Sequence, residues 1–258
     1  MNGGWNLQVG NLLLFSKRAS GLHSEPDHYG WKMWNQSDVK KPGDFHFDRY
    51  SKLLTTFCEK GSPEACWPGG VEAALDTTQV NMDGASHVVV DGLAVWFGAA
   101  HGINGGNVDT VVVRNCDLAW IGGGVLSYDF RSTGRPVRYG NGIQWWGGTK
   151  NVEVYTNRLW QIYDTPLTNQ GESCVASGGT AESCAMRNIS YHHNLAINSG
   201  MACVEIWYSD PNTTMDDVRF ENNLCANIGN GGWSSAQRGD VAGASSHTRR
   251  AQQDLMSS

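Results

Sequence analysis

Charged residues are scarce in this chain of 258 residues: Asp, Glu, Lys and Arg make up 17%, against the ~25% of an ordinary globular protein. That scarcity argues against a coiled coil or a long-helix protein, which is built largely from Ala, Glu, Lys, Leu and Arg. No run of 18 apolar residues occurs, so no helical membrane span is expected. The net charge of -6 offers no cationic surface for phosphate and discourages a nucleic-acid partner. No C-x-x-C pair, Walker loop, G-x-S-x-G or H-E-x-x-H sequence is present. Those absences leave no sequence signal for a zinc ribbon, a P-loop, an α/β-hydrolase or a zincin. Clustered acids for calcium are thin as well, with Asp216-Asp217 the one acidic doublet. No metal or cofactor is therefore expected.

Glycine and tryptophan, by contrast, are abundant, at 32 and 11 residues. With 40% hydrophobic and 10% aromatic residues the chain can bury enough surface to fold. Of the seven cysteines, Cys58/Cys66 and Cys174/Cys184 bracket short polar stretches and could staple loops in an oxidising compartment. Cys116, Cys203 and Cys225 lie inside apolar strand patterns and read as buried thiols. The first residues carry neither a basic nor an apolar leader segment, so an export signal is expected outside this chain, in a longer protein.

The organising feature is an imperfect repeat. Five segments share one template: Val or Ile, any residue, an apolar residue, two polar residues, then Asn, Cys or Leu, and an apolar residue two further on. They run Val88–Val95, Val111–Leu118, Val152–Leu159, Ile189–Ala196 and Val218–Cys225, with starts 23, 41, 37 and 29 residues apart. The alternation in each half is that of a half-buried strand, and the polar pair marks a corner where Asn or Gly tolerates left-handed backbone. A second short strand precedes four of them: His101–Ile103, Asn141–Trp146, Pro166–Thr168 and Cys203–Trp207. One coil cannot bury its inner face, but stacked coils share a core. The fold expected is all-β: a right-handed parallel β-helix over 81–242, with insertions at Ser127–Tyr139 and Gly171–Arg187. An N-terminal cap rich in strands and turns occupies 1–80, and a polar tail 243–258. Asn157, Asn194 and Asn223 should form an inward ladder at one corner, a structural role. Within the cap, Val71–Leu75 fits either one helical turn or a strand edge.

Several stretches carry a resemblance beyond the repeat: Gly43–Asp48, Phe97–Ile103, Trp120–Gly124, Tyr139–Ile143, Ile162–Gln170 and Ala236–Arg238. Over about residues 40 to 240 the chain resembles the pectate-lyase-like superfamily, and within it bacterial β-helix glycoside hydrolases and polysaccharide lyases. The segment Gly43-Asp-Phe-His-Phe-Asp48 resembles a hairpin that precedes the coils in several such glycosidases, which favours a hydrolase. The resemblance implies an exported, extracellular or periplasmic, carbohydrate-active monomer acting on a plant or algal polysaccharide. A lyase or epimerase and a non-catalytic glycan-binding or adhesive β-helix are the alternatives, because this scaffold serves many functions. One position departs from the pattern: Gln144 follows Gly142-Ile143 where relatives carry an acid, which favours the non-catalytic alternative.

Ligand on such a scaffold lies along an outer face. In Val204–Tyr208, burying Val204 and Ile206 turns Glu205 and Trp207 outward, and burying Ile143 turns Gln144 and Trp146 outward. Asp164 and Glu205 are expected on neighbouring coils as acid and base, a separation of ~6.5–9.5 Å giving inversion and ~5–5.5 Å retention. The plainer reading of Glu205 is a solvated surface residue. Trp146, Trp207 and Tyr208 are candidate sugar platforms. Tyr139, Asn141, Gln144, Tyr163, Asn169, Gln170 and Gln237 are candidate sugar contacts. Arg238 could bind a uronate or sulfate bidentately, act as a catalytic group of the lyase or epimerase alternative by neutralising charge or abstracting a proton, or simply pair with Asp240. His101 is a candidate acid or base, its plainer reading being a corner hydrogen bonder. His192 and His193 read as structural or exposed.

Overall fold

The computed structural model describes residues 6–9, 12–15, 35–41, 44–48, 51, 53–66, 73–127, 137–171, 174, 178–207 and 213–229. In the N-terminal part, β1 (Asn6–Val9), β2 (Leu12–Phe15) and β5 (Ala73–Leu75) form an antiparallel sheet. A hairpin pairs β3 (Phe45–Asp48) with β4 (Leu53–Thr56). Ahead of it, the buried Asp44 carboxylate accepts the Lys40 and Lys41 amides at 3.0 and 2.9 Å. A single helical turn, α1 (Pro63–Cys66), is tied back by the Cys58–Cys66 disulfide. Of the two possibilities for 71–75, the strand is the one found, at Ala73–Leu75.

From Val80 onward the strands cycle through three five-stranded parallel sheets. The first sheet holds β6 (Val80–Asn81), β9 (Ile103–Gly105), β14 (Ile143–Trp146), β17 (Leu167–Gln170) and β20 (Val204–Trp207). The second holds β7 (Ser86–Asp91), β10 (Asp109–Arg114), β15 (Lys150–Tyr155), β18 (Met186–His192) and β21 (Met215–Glu221). The third holds β8 (Ala94–Trp96), β11 (Asp117–Ile121), β16 (Arg158–Ile162), β19 (Leu195–Ile197) and β22 (Leu224–Ala226). Each coil takes one strand from each sheet in sequence order, which is the architecture of a parallel β-helix.

The sequence repeat is the register. Val88, Val111, Val152, Ile189 and Val218 are successive partners in the second sheet. Val95, Leu118, Leu159, Ala196 and Cys225 are successive partners in the third. These columns point inward, and Val111, Val113, Ile143, Leu167 and Ile189 are fully buried. Each such side chain contributes about 1.5–3 kcal/mol of apolar burial, but only where coils lie on both sides. The last coil accordingly leaves Val218 and Phe220 half-buried and Ile206 52% exposed.

Corners repeat as strictly as strands. Gly92, Asn115, Thr156, His193 and Asn222 occupy the turn before the third sheet, all with φ between 51° and 70°. Beside them runs the asparagine ladder. Asn157 Oδ1 accepts the Cys116 amide at 2.9 Å, Asn194 Oδ1 the Asn157 amide at 3.0 Å, and Asn223 Oδ1 the Asn194 amide at 2.9 Å. Their Nδ2 groups donate to the Val113, Val154 and Tyr191 carbonyls.

Extra length leaves the stack at two places. Between the second and third coils stands a hairpin of β12 (Gly124–Ser127) and β13 (Val137–Tyr139). Between β17 and β18, α2 (Ala181–Cys184) begins with a capping box of Thr180 and Ser183 and is held by the Cys174–Cys184 disulfide. Cys116 is the buried free thiol expected. Cys203 and Cys225, read from the sequence as buried thiols, are instead bonded to each other with Cα atoms 6.0 Å apart. Strand alternation treats each strand by itself, whereas the first and third sheets of the last coil face each other across its interior. Three disulfides fit an oxidising environment.

Candidate functional site

The first sheet carries most of the residues singled out above. Ile143, Trp145 and Leu167 point into the core, so alternation sends Asn104, Gln144, Thr168 and Glu205, successive partners across the coils, to the outer side. The next outward row is Trp146, Gln170 and Trp207. Trp146 Nε1–H donates to Asn104 Oδ1 at 2.8 Å, and Gln170 Nε2 donates to Glu205 Oε2 at 3.4 Å. Trp146, Gln170 and Glu205 are half-buried, while Trp207 is 42% exposed.

Two placements differ from expectation. Gln144 stands on the outer side but is fully buried, because alternation fixes the side of a sheet and not whether that side is covered. Its Oε1 accepts from Asn141 Nδ2 at 2.5 Å, while its Nε2, like Thr168 Oγ1 and Thr165 Oγ1, has no hydrogen-bond partner. Asn169 turns to the interior, where it accepts the Tyr191 hydroxyl, so it cannot touch a ligand on the outer face.

At the corner leading into this sheet, Asn141 is the hub. Its amide donates to His101 Nδ1 at 3.1 Å and its Oδ1 accepts the Thr165 amide at 3.0 Å. His101 packs edge-on against Tyr139 at 5.1 Å between ring centroids, and burial pushes its pKa down to about 4. It is thus a neutral acceptor, as the corner reading expects. The Tyr139 hydroxyl donates to Asp76 Oδ1 at 3.2 Å; burial first, then the Asp76 charge, raises its pKa. Tyr163 is buried at the end of β16.

Asp164 is 4% exposed and follows directly. Its amide donates to the Gly140 carbonyl and its carbonyl accepts the Met201 amide at 3.0 Å, which sets it level with Met201 in the next coil. Glu205 stands four residues beyond Met201. Up to about 13 Å of backbone, at ~3.3 Å per residue, therefore separates the two acids along the strand direction. Tyr208, Gln237 and Arg238 lie outside the described residues.

One aromatic group escaped the sequence reading. On the third sheet Trp96, Phe97, Trp120 and Trp160 form a cluster, with Phe97 stacked on Trp120 at 5.0 Å and Trp160 edge-on to both Trp96 and Trp120. Its signal was present: an aromatic residue one or two positions after the last apolar residue of three successive templates. Among the described residues, no group of three or more His, Cys, Asp or Glu could hold a metal ion, and no helix is long and apolar enough to cross a membrane.

By register and sheet order the chain is a parallel β-helix protein. No family model matches it, and neither a curated protein nor a solved structure is similar to it by the same kind of comparison.

Proposed function

We propose that this is an exported carbohydrate-active protein, a glycoside hydrolase of plant or algal polysaccharides, whose substrate lies on the outer face of the first sheet. The observation that carries this reading is the outward row of half-buried Trp146 and Gln170 and exposed Trp207, adjoining half-buried Glu205 on the same sheet. Sugars present hydroxyls and apolar ring faces together, and a mixed polar and aromatic surface matches both. Glu205, in that same surface, is the acid or base, and Asp164 at the rim its counterpart in an inverting arrangement. The disulfides support export to an extracellular or periplasmic space.

A specific observation favours a second reading, a glycan-binding β-helix without turnover. In Glu205's own row, two strands away, stands an amide, Gln144, and not a second carboxylate.

Glu205→Gln separates the two. Incubated with a polysaccharide panel and assayed for reducing ends, the parent protein should hydrolyse at least one glycan and the variant should lose about 10²–10⁴-fold in rate with unchanged thermal unfolding. Turnover retained by the variant excludes Glu205. Absorbance of an unsaturated product would replace hydrolysis by elimination. Glycan binding without turnover, weakened by Trp146→Ala, would establish the non-catalytic reading.

A further inference from the structure

The second sheet has an outer face of its own, and its side chains build a trough. Val112, Glu153, Ser190 and Arg219 are successive partners and form the floor. One wall is the left-handed column Thr110, Asn151, Asn188 and Asp217; the other is Tyr155, His192 and Glu221, with His193 at the corner beyond. All of these but Tyr155 and Asp217, together with Val152, line an open groove of about 490 Å³. It spans the second to the fifth coil, roughly 14 Å at ~4.8 Å per strand step.

The middle of the trough is fixed by hydrogen bonds. The His192 ring stacks on Tyr155, with centroids 5.0 Å apart and planes 6° from parallel. His192 Nε2 lies 3.0 Å from Glu153 Oε1, and His192 Nδ1 lies 2.9 Å from His193 Nδ1. The neutral arrangement that satisfies every contact has His192 donating Nε2–H to Glu153 and accepting Nδ1–H from His193. His193, exposed at its corner, then presents its Nε2 lone pair to solvent. On the opposite wall, Asn151 donates to Asp109, Asn188 donates to Asn151, and Arg219 donates to Asn188. These contacts leave each amide a further N–H and lone pair.

We infer that this trough is a second glycan-binding site, one that takes a neutral saccharide chain lying parallel to the solenoid axis. Its lining sets the hydroxyls, amides and imidazoles of Thr110, Asn151, Asn188, Ser190, His192 and His193 on successive coils, beside the charged Glu153, Glu221 and Arg219, which suits a polymer with repeating hydroxyls. A peptide strand is poorly served, since every strand under the trough but β21 already pairs on both sides and offers no free edge. A polyanion is disfavoured by charge: Glu153, Glu221 and Asp217 outnumber Arg219, which is itself paired with Asp217 at 3.0 Å. The inference shares with the proposed function only the class of ligand.

The test is isothermal titration of the full chain with soluble neutral glucan, mannan and xylan oligosaccharides and with oligogalacturonate. Ser190→Trp fills the floor, and Glu153→Gln keeps the shape while removing the charge that anchors His192. Neutral oligosaccharide should still bind the Trp146→Ala/Glu205→Gln double variant, in which the first-sheet surface is disabled and only the trough remains. The same ligand should bind Ser190→Trp at least about tenfold more weakly, a difference near 1.4 kcal/mol. If Ser190→Trp, folded by circular dichroism, binds like the parent, or if only oligogalacturonate binds, the trough is not the site. Binding abolished by the double variant alone would assign all glycan recognition to the first sheet. No binding by the parent to any of the four oligosaccharides overturns this site and leaves hydrolysis of longer polymers by Glu205 to its own assay.

Discussion

Replacing Asn194 by alanine is the sharpest test of how the coils are held in register. The side chain is 2% exposed and makes four hydrogen bonds. Its Oδ1 accepts the Asn157 amide and Asn157 Nδ2, both at 3.0 Å, and its Nδ2 donates to the Val154 carbonyl at 2.9 Å and Asn223 Oδ1 at 2.8 Å. In Asn194→Ala, Asn157 Nδ2 keeps the Val113 carbonyl and Asn223 Oδ1 keeps the Asn194 amide. The Asn157 amide loses its acceptor and the Val154 carbonyl loses a donor, both inside the protein. At about 1–3 kcal/mol for each such buried group, the expected loss is about 4 kcal/mol. Asn223→Ala removes the same kind of contact from the last coil, where Asn223 is half-buried and water can substitute, so about 1–2 kcal/mol is expected there. Urea unfolding followed by tryptophan fluorescence measures both. A loss under about 1 kcal/mol for Asn194→Ala, or a larger loss for Asn223→Ala, would refute the idea that the buried ladder closes the corner.

Two further outcomes are expected. At Gly140, with φ +135°, an added methyl would run into Gly122 Cα and the Ala100 carbonyl. Gly140→Ala should therefore lose more than about 4 kcal/mol or give no soluble protein. Gly84→Ala, with φ +70° and open space around it, should lose only about 1–2 kcal/mol in the same unfolding assay. His101 has its pKa depressed from 6.5 to about 4, so the folded state binds fewer protons than the unfolded state between those values. Stability should be flat in this respect above pH 6.5 and fall by up to about 3 kcal/mol on acidification to pH 4. His101→Gln, whose side-chain oxygen can still accept the Asn141 amide, should remove that slope from a pH series of thermal melts; an unchanged slope would assign it to other groups.

What the sequence discloses here follows from how local each constraint is. The inward columns from Val88 to Val218 and from Val95 to Cys225 are legible because burial repeats with the register, and any shift would put polar residues in the core. The ladder is legible because Asn recurs one residue after the last three of the five left-handed corners. Both insertions show as stretched intervals. The candidate site is legible only in part. Alternation gives the outward direction of Gln144, Trp146 and Glu205, but not that Gln144 is covered. It also leaves open that Asn169 serves Tyr191 inside, since an Asn within an apolar strand suits either side. Cys203–Cys225 depends on two sheets meeting across a coil, a distance no single strand encodes. The second trough was missed because its residues, taken one template at a time, look like an ordinary solvated strand face; only stacking turns four such faces into a channel.

The recurring positive-φ corners hold the cross-section of every coil to one outline, and the shortest passage around it, from Val88 to Val111, takes 23 residues. Growth is thereby confined to one dimension. Duplication of a single such unit would lengthen the rod by ~4.8 Å and add one rung to each outer channel. Reach along a fibre would then scale with copy number while the diameter stayed constant.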